Sequence, residues 1–243
     1  MFVSIIKLLN LSFFHFPARP VLRLHLYLTA SQAVPFDYLP TLKSAFHRWT
    51  GHNEPLHAGL SLYSYAWLRG GRAGRGGIRF AEGAHWFISA PDRELIHSII
   101  SGVLRAPDIG LGLRVQDVRM QEAPEFDVGE QPFRVAGPVF IKHEAEQGKP
   151  ADHLLPGHEL ADELLTATLR HKLRQAGLDD AGAAVRFDPV HIATAKSKLF
   201  QYKQVQCRGS ICPVLVSGSA NQIGFAWEVG VGHSTGIGCG ALV

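Results

Sequence analysis

The sequence predicts an α+β fold made of two tandem ferredoxin-like (RRM-like) domains. Three observations predict it: strands that alternate apolar and polar residues, amphipathic helices between them, and a second half that repeats the order of the first less cleanly. The 243 residues suit two domains of about 100 residues each. The hydrophobic fraction of 46% is that of a folding chain, so wholesale disorder is excluded.

The first domain is predicted at residues 20–121. Val21–Leu28 alternates leucines with polar residues, a pattern typical of a half-buried strand. Asp37 can cap a helix that presents an apolar face and ends at Gly51, and Pro40 fits its first turn. The remaining elements are strands at Leu60–Leu68, His85–Ser89 and Leu111–Val115, and a helix that begins after Asp92.

The second domain is predicted at residues 132–243, after an acidic linker at Glu122–Gln131. A long helix is expected over Glu159–Ala176 because its leucines fall on one face and Gly177 stops it. The other elements are a strand within Phe133–Lys142, strands near Val185–Ile192, Leu199–Gln206 and Cys212–Val216, a short helix containing Ile223 and Trp227, and a last strand.

The N-terminal residues 1–19 form an apolar extension that is expected to lie outside the core fold. Lys7 lies inside the apolar stretch, whereas a signal peptide carries its positive charge before it. No apolar run reaches the roughly 18 residues that a membrane-spanning helix needs. Cys207, Cys212 and Cys239 cannot form a closed disulfide framework and are expected to be buried thiols, which favours a reducing, cytoplasmic location. Deletion of residues 1–18 is expected to leave a folded protein.

The net charge of +3 is an average over unlike parts of the chain. Residues 1–80 carry a balance of +7, residues 81–188 one of −7, and residues 189–243 one of +3. Two basic ends around an acidic middle would suit a bound polyanion, although folding can equally erase such segregation.

A glycine cluster near the C-terminus has the form G-x-G, five residues, G-x-G. A dinucleotide fingerprint needs a third glycine where Thr235 stands, and a Walker loop needs Gly-Lys-Ser/Thr, which is absent. The cluster therefore predicts either a backbone nest for a phosphate or a glycine-rich turn without a ligand. The residues of this cluster expected to contact a phosphate are Gly230, Gly232, His233, Gly236, Gly238 and Gly240.

A tandem ferredoxin-like chain that ends in this glycine pattern resembles the CRISPR-associated endoribonucleases of the RAMP superfamily, which process precursor CRISPR RNA. The resemblance covers roughly residues 20–243. Further matching segments are Asp37-Tyr38 through Leu42 with Ser44 and Arg48, Leu56-His57, His85 to Asp92, and Lys196-Ser197-Lys198 with Tyr202-Lys203.

The resemblance implies a metal-independent reaction without a cofactor, in which the ribose 2′-OH attacks the adjacent phosphate. The products are a 2′,3′-cyclic phosphate and a 5′-OH, and the reaction needs a general base and a general acid. The family places a histidine after the first helix, which is His57 here, and often a tyrosine late in that helix, where this chain has His47. A lysine that follows the histidine in some members has no counterpart in residues 58–68.

The resemblance also implies RNA as the partner, with Lys196, Lys198 and Lys203 as phosphate contacts. A CRISPR effector complex and a homodimer are further partners that it allows. Two alternatives stay open: a non-catalytic RNA-binding relative that retains guide RNA in an effector complex, and a metal-dependent hydrolase. The second would use His47, His52 and His57, whose five-residue spacing does not place ligands on one helical face, so no metal site is expected.

Overall fold

The computed structural model describes residues 2–4, 22–51, 60–143, 152–202 and 204–243. It confirms the α+β class with two ferredoxin-like halves. No helix in these ranges is long and apolar enough to cross a membrane.

The strands and helices are numbered in chain order. The strands are β1 (Phe2–Ser4), β2 (Leu22–Ala30), β3 (Ser64–Tyr65), β4 (Arg72–Gly74), β5 (Gly77–Arg79), β6 (Ala84–Ala90), β7 (Asp108–Gly110), β8 (Leu113–Glu122), β9 (Gly129–Phe133), β10 (Lys142–His143), β11 (Asp152–His153), β12 (Ala184–Phe187), β13 (Lys196–Tyr202), β14 (Val205–Ile211) and β15 (Val214–Gly218). The helices are α1 (Leu39–Thr50), α2 (Arg93–Arg105), α3 (Ala161–Gln175) and α4 (Ala220–Val229), with short 3₁₀ helices at Ile192–Thr194 and Thr235–Ile237.

The chain forms two compact units. The first comprises Met1–Gly59 and Ala66–Ala123, and the second comprises Leu60–Tyr65 and Pro124–Val243. The division after Ala123 falls at the start of the acidic segment predicted as a linker. The assignment of Leu60–Tyr65 to the second unit was not predicted, because it depends on contacts with residues far away in the sequence.

The first unit contains an antiparallel sheet in which β1, β8, β2 and β6 are neighbours in that order. α1 and α2 pack against each other, and Gly102 allows it because a Cβ there would lie 2.4 Å from the Cα of Trp49. β1 pairs with Arg119–Gln121 of β8. Three residues of the N-terminal extension therefore join the edge of this sheet, whereas the sequence analysis placed the extension outside the core fold.

The strand predicted at Leu60–Leu68 is wrong in extent, since only Ser64–Tyr65 is a strand. Tyr63 and Tyr65 are at most 1% exposed. Their alternation with Trp67 therefore reflects packing of the two tyrosines in the core and not a longer strand.

The second unit contains a sheet in the order β12, β15, β9. The C-terminal residues pair with the segment that follows β9, where Arg134 N–H donates to the carbonyl oxygen of Val243 at 3.0 Å and Ala136 N–H to that of Ala241 at 2.7 Å. This short pairing takes the place of the predicted last strand.

The strand predicted at Leu199–Gln206 is also wrong. β13 and β14 pair antiparallel, with Tyr202 opposite Val205, and they follow β12 and precede β15 in the chain. β13 begins with three polar residues, Lys196 to Lys198, and shows no strict alternation, and the sequence carries no Asn-Gly or Asp-Gly turn to mark the reversal.

Candidate functional site

The glycine cluster is a buried loop of the second unit. It spans Gly230–Gly240, and most of its residues are inaccessible to solvent. A Cβ on Gly240 would lie 1.9 Å from the carbonyl oxygen of Val231, and one on Gly232 would lie 2.7 Å from that of Phe140. Both glycines also have positive φ angles, of +60° and +73°. Close backbone packing therefore requires these glycines.

Backbone hydrogen bonds fasten the loop to the segment that follows β9. Gly240 N–H donates to the carbonyl oxygen of Pro138 at 3.0 Å, and His233 N–H donates to that of Phe140 at 2.8 Å. The imidazole Nδ1 of His233 accepts from the backbone N–H of Lys142 at 3.2 Å. The loop is thus held at its middle and at its end.

Lys172 holds the loop from α3. Its side chain is 1% exposed, and Nζ donates to the carbonyl oxygens of Val229 and Gly230 at 3.0 and 3.1 Å and to the hydroxyl of Thr235 at 3.2 Å. That hydroxyl donates to the carbonyl oxygen of Tyr63 at 2.9 Å. Burial lowers the pKa of Lys172 to about 7, although the three acceptors around Nζ favour the ammonium form.

The role of Lys172 was not predicted from the sequence, because a basic residue near a helix C-terminus is typically solvated there and complements the helix dipole. A signal was nevertheless present. Lys172 follows Leu165 and Leu169 at the spacing of one helical face, and all three are buried.

Only a small part of the loop reaches solvent. His233 is half-buried and Ser234 is exposed. Burial, followed by the nearby positive charges of Lys172 and Lys142, lowers the pKa of His233, so its imidazole is neutral near pH 7. The five glycines of the loop are buried: Gly230, Gly232, Gly236, Gly238 and Gly240. Their contact with a phosphate stays a prediction, and it would involve the accessible residues beside them.

Lys196 and Lys198 lie on β13 with exposed side chains, opposite Ile211 and Gly209 of β14. Residues two apart on a strand point to the same side, so the two lysines share one face of the hairpin. Lys203 lies outside the described residues.

His47 lies in the last turn of α1 and is half-buried. Its ring stands edge-on to that of Phe46, with the centroids 5.5 Å apart. His52 and His57 lie outside the described residues, so the pairing of His47 with His57 stays a prediction.

No group of three His, Cys, Asp or Glu side chains in the described part of the chain is placed to hold a metal ion. The metal-dependent alternative used His47 together with two histidines that fall outside that part. Cys207, Cys212 and Cys239 are free and buried, as expected.

One side of the sheet in the first unit carries a cluster of side chains that was not predicted from the sequence. Its members are polar and aromatic residues on the same side of three neighbouring strands; Arg23 and Phe87 are buried, and His25, Tyr27 and His85 are half-buried. We call it the arginine–aromatic face; it consists of Arg23, His25 and Tyr27 on β2, His85 and Phe87 on β6, Arg119 and Gln121 on β8, and Arg69 beside them. The period-two pattern of β2 was a visible signal, but its partners come from distant parts of the sequence.

Solved structures with the same fold define the class to which this architecture belongs. The product of a Cas6-related gene from Pyrococcus furiosus is similar over 92% of this chain and 98% of its own, with a TM-score of 0.78 and 21% identity. A RAMP protein binding different RNA substrates matches 91% of this chain and 99% of its own, with a TM-score of 0.79 and 20% identity. A Cas6 product complex matches 92% of this chain and 99% of its own, with a TM-score of 0.64 and 16% identity. The shared fold is that of tandem ferredoxin-like proteins.

The particular family follows from the sequence of the second unit. Residues 121–243 match the family model for CRISPR associated protein Cas6, C-terminal, and this chain belongs to that family. The match confirms the resemblance on which the sequence analysis relied. No curated protein sequence matches the chain.

Proposed function

We propose that this protein is an endoribonuclease that binds CRISPR repeat RNA and cuts precursor CRISPR RNA. Family membership over residues 121–243, which include the glycine loop and the β13–β14 hairpin, carries the proposal. The similar structures named as a Cas6 product complex and as a RAMP protein binding different RNA substrates support RNA as the ligand.

The proposed reaction needs only the RNA and two proton-transfer groups. The ribose 2′-oxygen forms a bond to the adjacent phosphorus, and the bond from phosphorus to the 5′-oxygen breaks. A base removes the 2′ proton and an acid protonates the leaving 5′-oxygen, each contributing roughly 10²–10⁴ in rate. We assign these roles to His57 and His47, because neutral and protonated imidazole both exist near neutral pH.

The second unit supplies the proposed contacts to the RNA backbone. Lys196 and Lys198 are exposed on one face of β13, where their ammonium groups can approach phosphates. Lys203 and the loop Gly230–Gly240 belong to the same proposal, and His233 and Ser234 are the polar residues of the loop that reach solvent.

Cleavage of labelled repeat RNA in excess EDTA tests the reaction, with the chemistry of the new ends read by their mobility and by phosphatase treatment. We expect a cyclic phosphate and a 5′-OH, and a loss of at least roughly 100-fold in the rate of His57→Ala. His171→Ala, an exposed histidine on α3, is the matched control and should cut at the wild-type rate.

The other outcomes separate the alternatives. Tight binding of repeat RNA without cleavage would identify a non-catalytic RNA-binding protein, and cleavage that stops in EDTA would identify a metal-dependent hydrolase. A His57→Ala protein that cuts as fast as the wild type would refute the assignment of His57.

A further inference from the structure

We propose that the β4–β5 hairpin of the first unit is a contact for the sugar–phosphate backbone of RNA, in which Arg72 and Arg79 together hold phosphates. The hairpin is a two-stranded sheet of its own, outside the larger sheet of this unit. None of its residues is among those assigned above to cleavage or to backbone contact. The inference rests on the proposed function only in its choice of RNA as the ligand.

Two arginines stand directly opposite each other on this hairpin. Arg72 of β4 pairs with Arg79 of β5, and both side chains are exposed. The Cβ atoms of residues paired in this way lie about 4.5–5.5 Å apart on one face, and like charges there destabilise the pairing. Arg75, in the turn between the two strands, is exposed as well. The hairpin therefore concentrates positive charge at the expense of its own stability.

The guanidinium groups of Arg72, Arg75 and Arg79 have no acidic partner within the part of the chain that the structure describes, whereas other arginines there are paired with carboxylates. Residues 68–84 carry four arginines and a single acid, Glu82. A like-charged pair without a counter-ion conflicts with the local rules of sheet stability, and such conflicts are expected where a protein binds a ligand. An anion placed between the two arginines would remove the conflict.

The backbone of the hairpin, and not its arginines, fixes it to the first unit. Ile78 N–H donates to the carbonyl oxygen of Val34 at 2.8 Å, and Val34 N–H donates to that of Ile78 at 2.9 Å. The approach is close, since a Cβ on Gly77 would lie 2.4 Å from the carbonyl oxygen of Val34. Because none of these contacts involves a guanidinium group, the arginines can be replaced without undoing the hairpin.

The side chains that lie between the arginines in the sequence favour RNA over a protein as the ligand. Ala73, Gly74 and Gly76 are exposed and small, and Ile78, the large apolar residue of the hairpin, is half-buried opposite Ala73. A protein–protein contact usually depends on a large side chain that anchors in a pocket of the partner. A phosphate backbone needs only positive charge and room to approach. The exposed part of the hairpin offers this second combination.

Guanidinium groups suit this ligand because their N–H donors form two parallel hydrogen bonds to the oxygens of a phosphate. Two of them on one face, about 5 Å apart at Cβ, can bind one phosphate together or two consecutive phosphates of a strand. Contacts to phosphates alone position a nucleic acid without reading its bases. The hairpin should therefore bind RNA of any sequence, and the bound RNA should relieve the repulsion between Arg72 and Arg79.

Filter binding of a labelled, unstructured RNA of mixed sequence, over a series from roughly 50 to 200 mM salt, tests the contact. Arg72→Ala/Arg79→Ala should make the slope of log affinity against log salt shallower by about 1.4, since each phosphate contact to a single strand contributes about 0.7. Its loss of affinity relative to the wild type should therefore shrink about sevenfold across this series. Arg105→Ala/Arg134→Ala removes the same charge at two other exposed positions and should keep the wild-type slope.

A second variant keeps both arginines. Residues two apart on a strand share a face, so Gly74→Glu places a carboxylate beside Arg72 and Arg79. Gly74 has room for a side chain, since the nearest atom to its Cβ, apart from its chain neighbours, would be the carbonyl oxygen of Gly77 at 4.0 Å. Gly74→Glu should weaken RNA binding as the double variant does, without lowering the midpoint of thermal unfolding. Gly74→Gln, of the same size and uncharged, is its control and should bind RNA as the wild type does.

An unchanged salt slope in Arg72→Ala/Arg79→Ala would overturn the proposal, and so would an equal change in Arg105→Ala/Arg134→Ala, which would show an effect of net charge alone. Tighter binding of a glutamate-rich peptide than of the RNA, lost in the first double variant, would overturn it by indicating an acidic protein as the partner. Thermal unfolding shows that each variant is folded. The assay involves no cleavage and no repeat sequence, so failure to cut repeat RNA would contradict the proposed function and leave this result intact, and the reverse also holds.

Discussion

The glycine loop of the second unit and the arginine–aromatic face of the first show two ways in which a ferredoxin-like unit uses polar groups. In the loop, polar groups turn inward: Lys172 donates to two backbone carbonyls and a hydroxyl, and the glycines allow backbones to touch. On the face, Arg23 lies over the ring of Phe87 and both are buried, Arg119 lies over the ring of Tyr27, and a hydrogen bond joins His25 to His85. The first arrangement stabilises a backbone shape, and the second holds side chains of neighbouring strands against one another. Substitutions in the loop should therefore act mainly on stability, and substitutions at the face should change the titration of its histidines.

The largest effect is expected at Gly240. Its φ is +60° and a Cβ would lie 1.9 Å from the carbonyl oxygen of Val231, so Gly240→Ala should lower the free energy of unfolding by more than about 3 kcal/mol. Gly182 is the control: it has φ +78° with open space around it, so Gly182→Ala should lower the free energy of unfolding by only about 1–2 kcal/mol. Urea unfolding measures the loss in each of the two variants. Equal losses would show that backbone conformation, and not close packing, explains the loop glycines.

Lys172→Met should lower the free energy of unfolding by about 2–4 kcal/mol, because it leaves buried acceptors without a donor. The folded-state pKa of about 7 is below the ordinary value of 10.5, so between these pH values the unfolded chain binds more protons. Stability contributed by Lys172 should therefore rise with pH, by up to about 1.4 kcal/mol per unit. Urea unfolding of wild type and Lys172→Met at pH 7 and 9 gives the difference.

Lys196→Met, at an exposed position on β13, is the control for this measurement. Its unfolding free energy should stay within about 0.5 kcal/mol of the wild type at both pH values. A pH-independent difference between wild type and Lys172→Met would show that Lys172 stays charged in the folded protein.

A smaller effect, on binding alone, is expected at the β13–β14 hairpin. The double variant Lys196→Ala/Lys198→Ala should reduce the slope of log affinity against log salt by about 1.4, since each phosphate contact to a single strand contributes about 0.7. Filter binding of repeat RNA over a salt series measures the slope, with Arg105→Ala as the control. An unchanged slope would remove these lysines from the proposed RNA contacts.

The smallest effect is the titration of His85, which NMR can follow directly. We expect this imidazole to titrate at about pH 4, mainly because it is buried, and its pKa to rise slightly in Arg69→Gln, which removes one of the smaller causes. As the pH falls from 6.5 towards 4, the unfolded chain takes up a proton that folded His85 does not, so this group's contribution to stability declines in that window. Titration of His85 near 6.5 in the wild type would show that the histidine pair is not shielded.

The sequence by itself determined the fold class and the family. Period-two alternation in β2 and the 3–4 spacing of α1 and α3 follow from local geometry, because a strand or helix must bury one face. The glycine pattern was equally visible, since so many glycines close together signal unusual backbone.

Only the tertiary structure decided what these residues contact. The glycines of the loop pack against segments near Val139 and Ser61, and Lys172 binds a loop some sixty residues further along the sequence. Tyr63 and Tyr65 lie in the core. The arginine–aromatic face joins β2, β6 and β8, and a hydrogen bond on it links His25 to Gln121 across 96 positions of the sequence. Such contacts carry no local periodicity, because they depend on which strands become neighbours in the sheet.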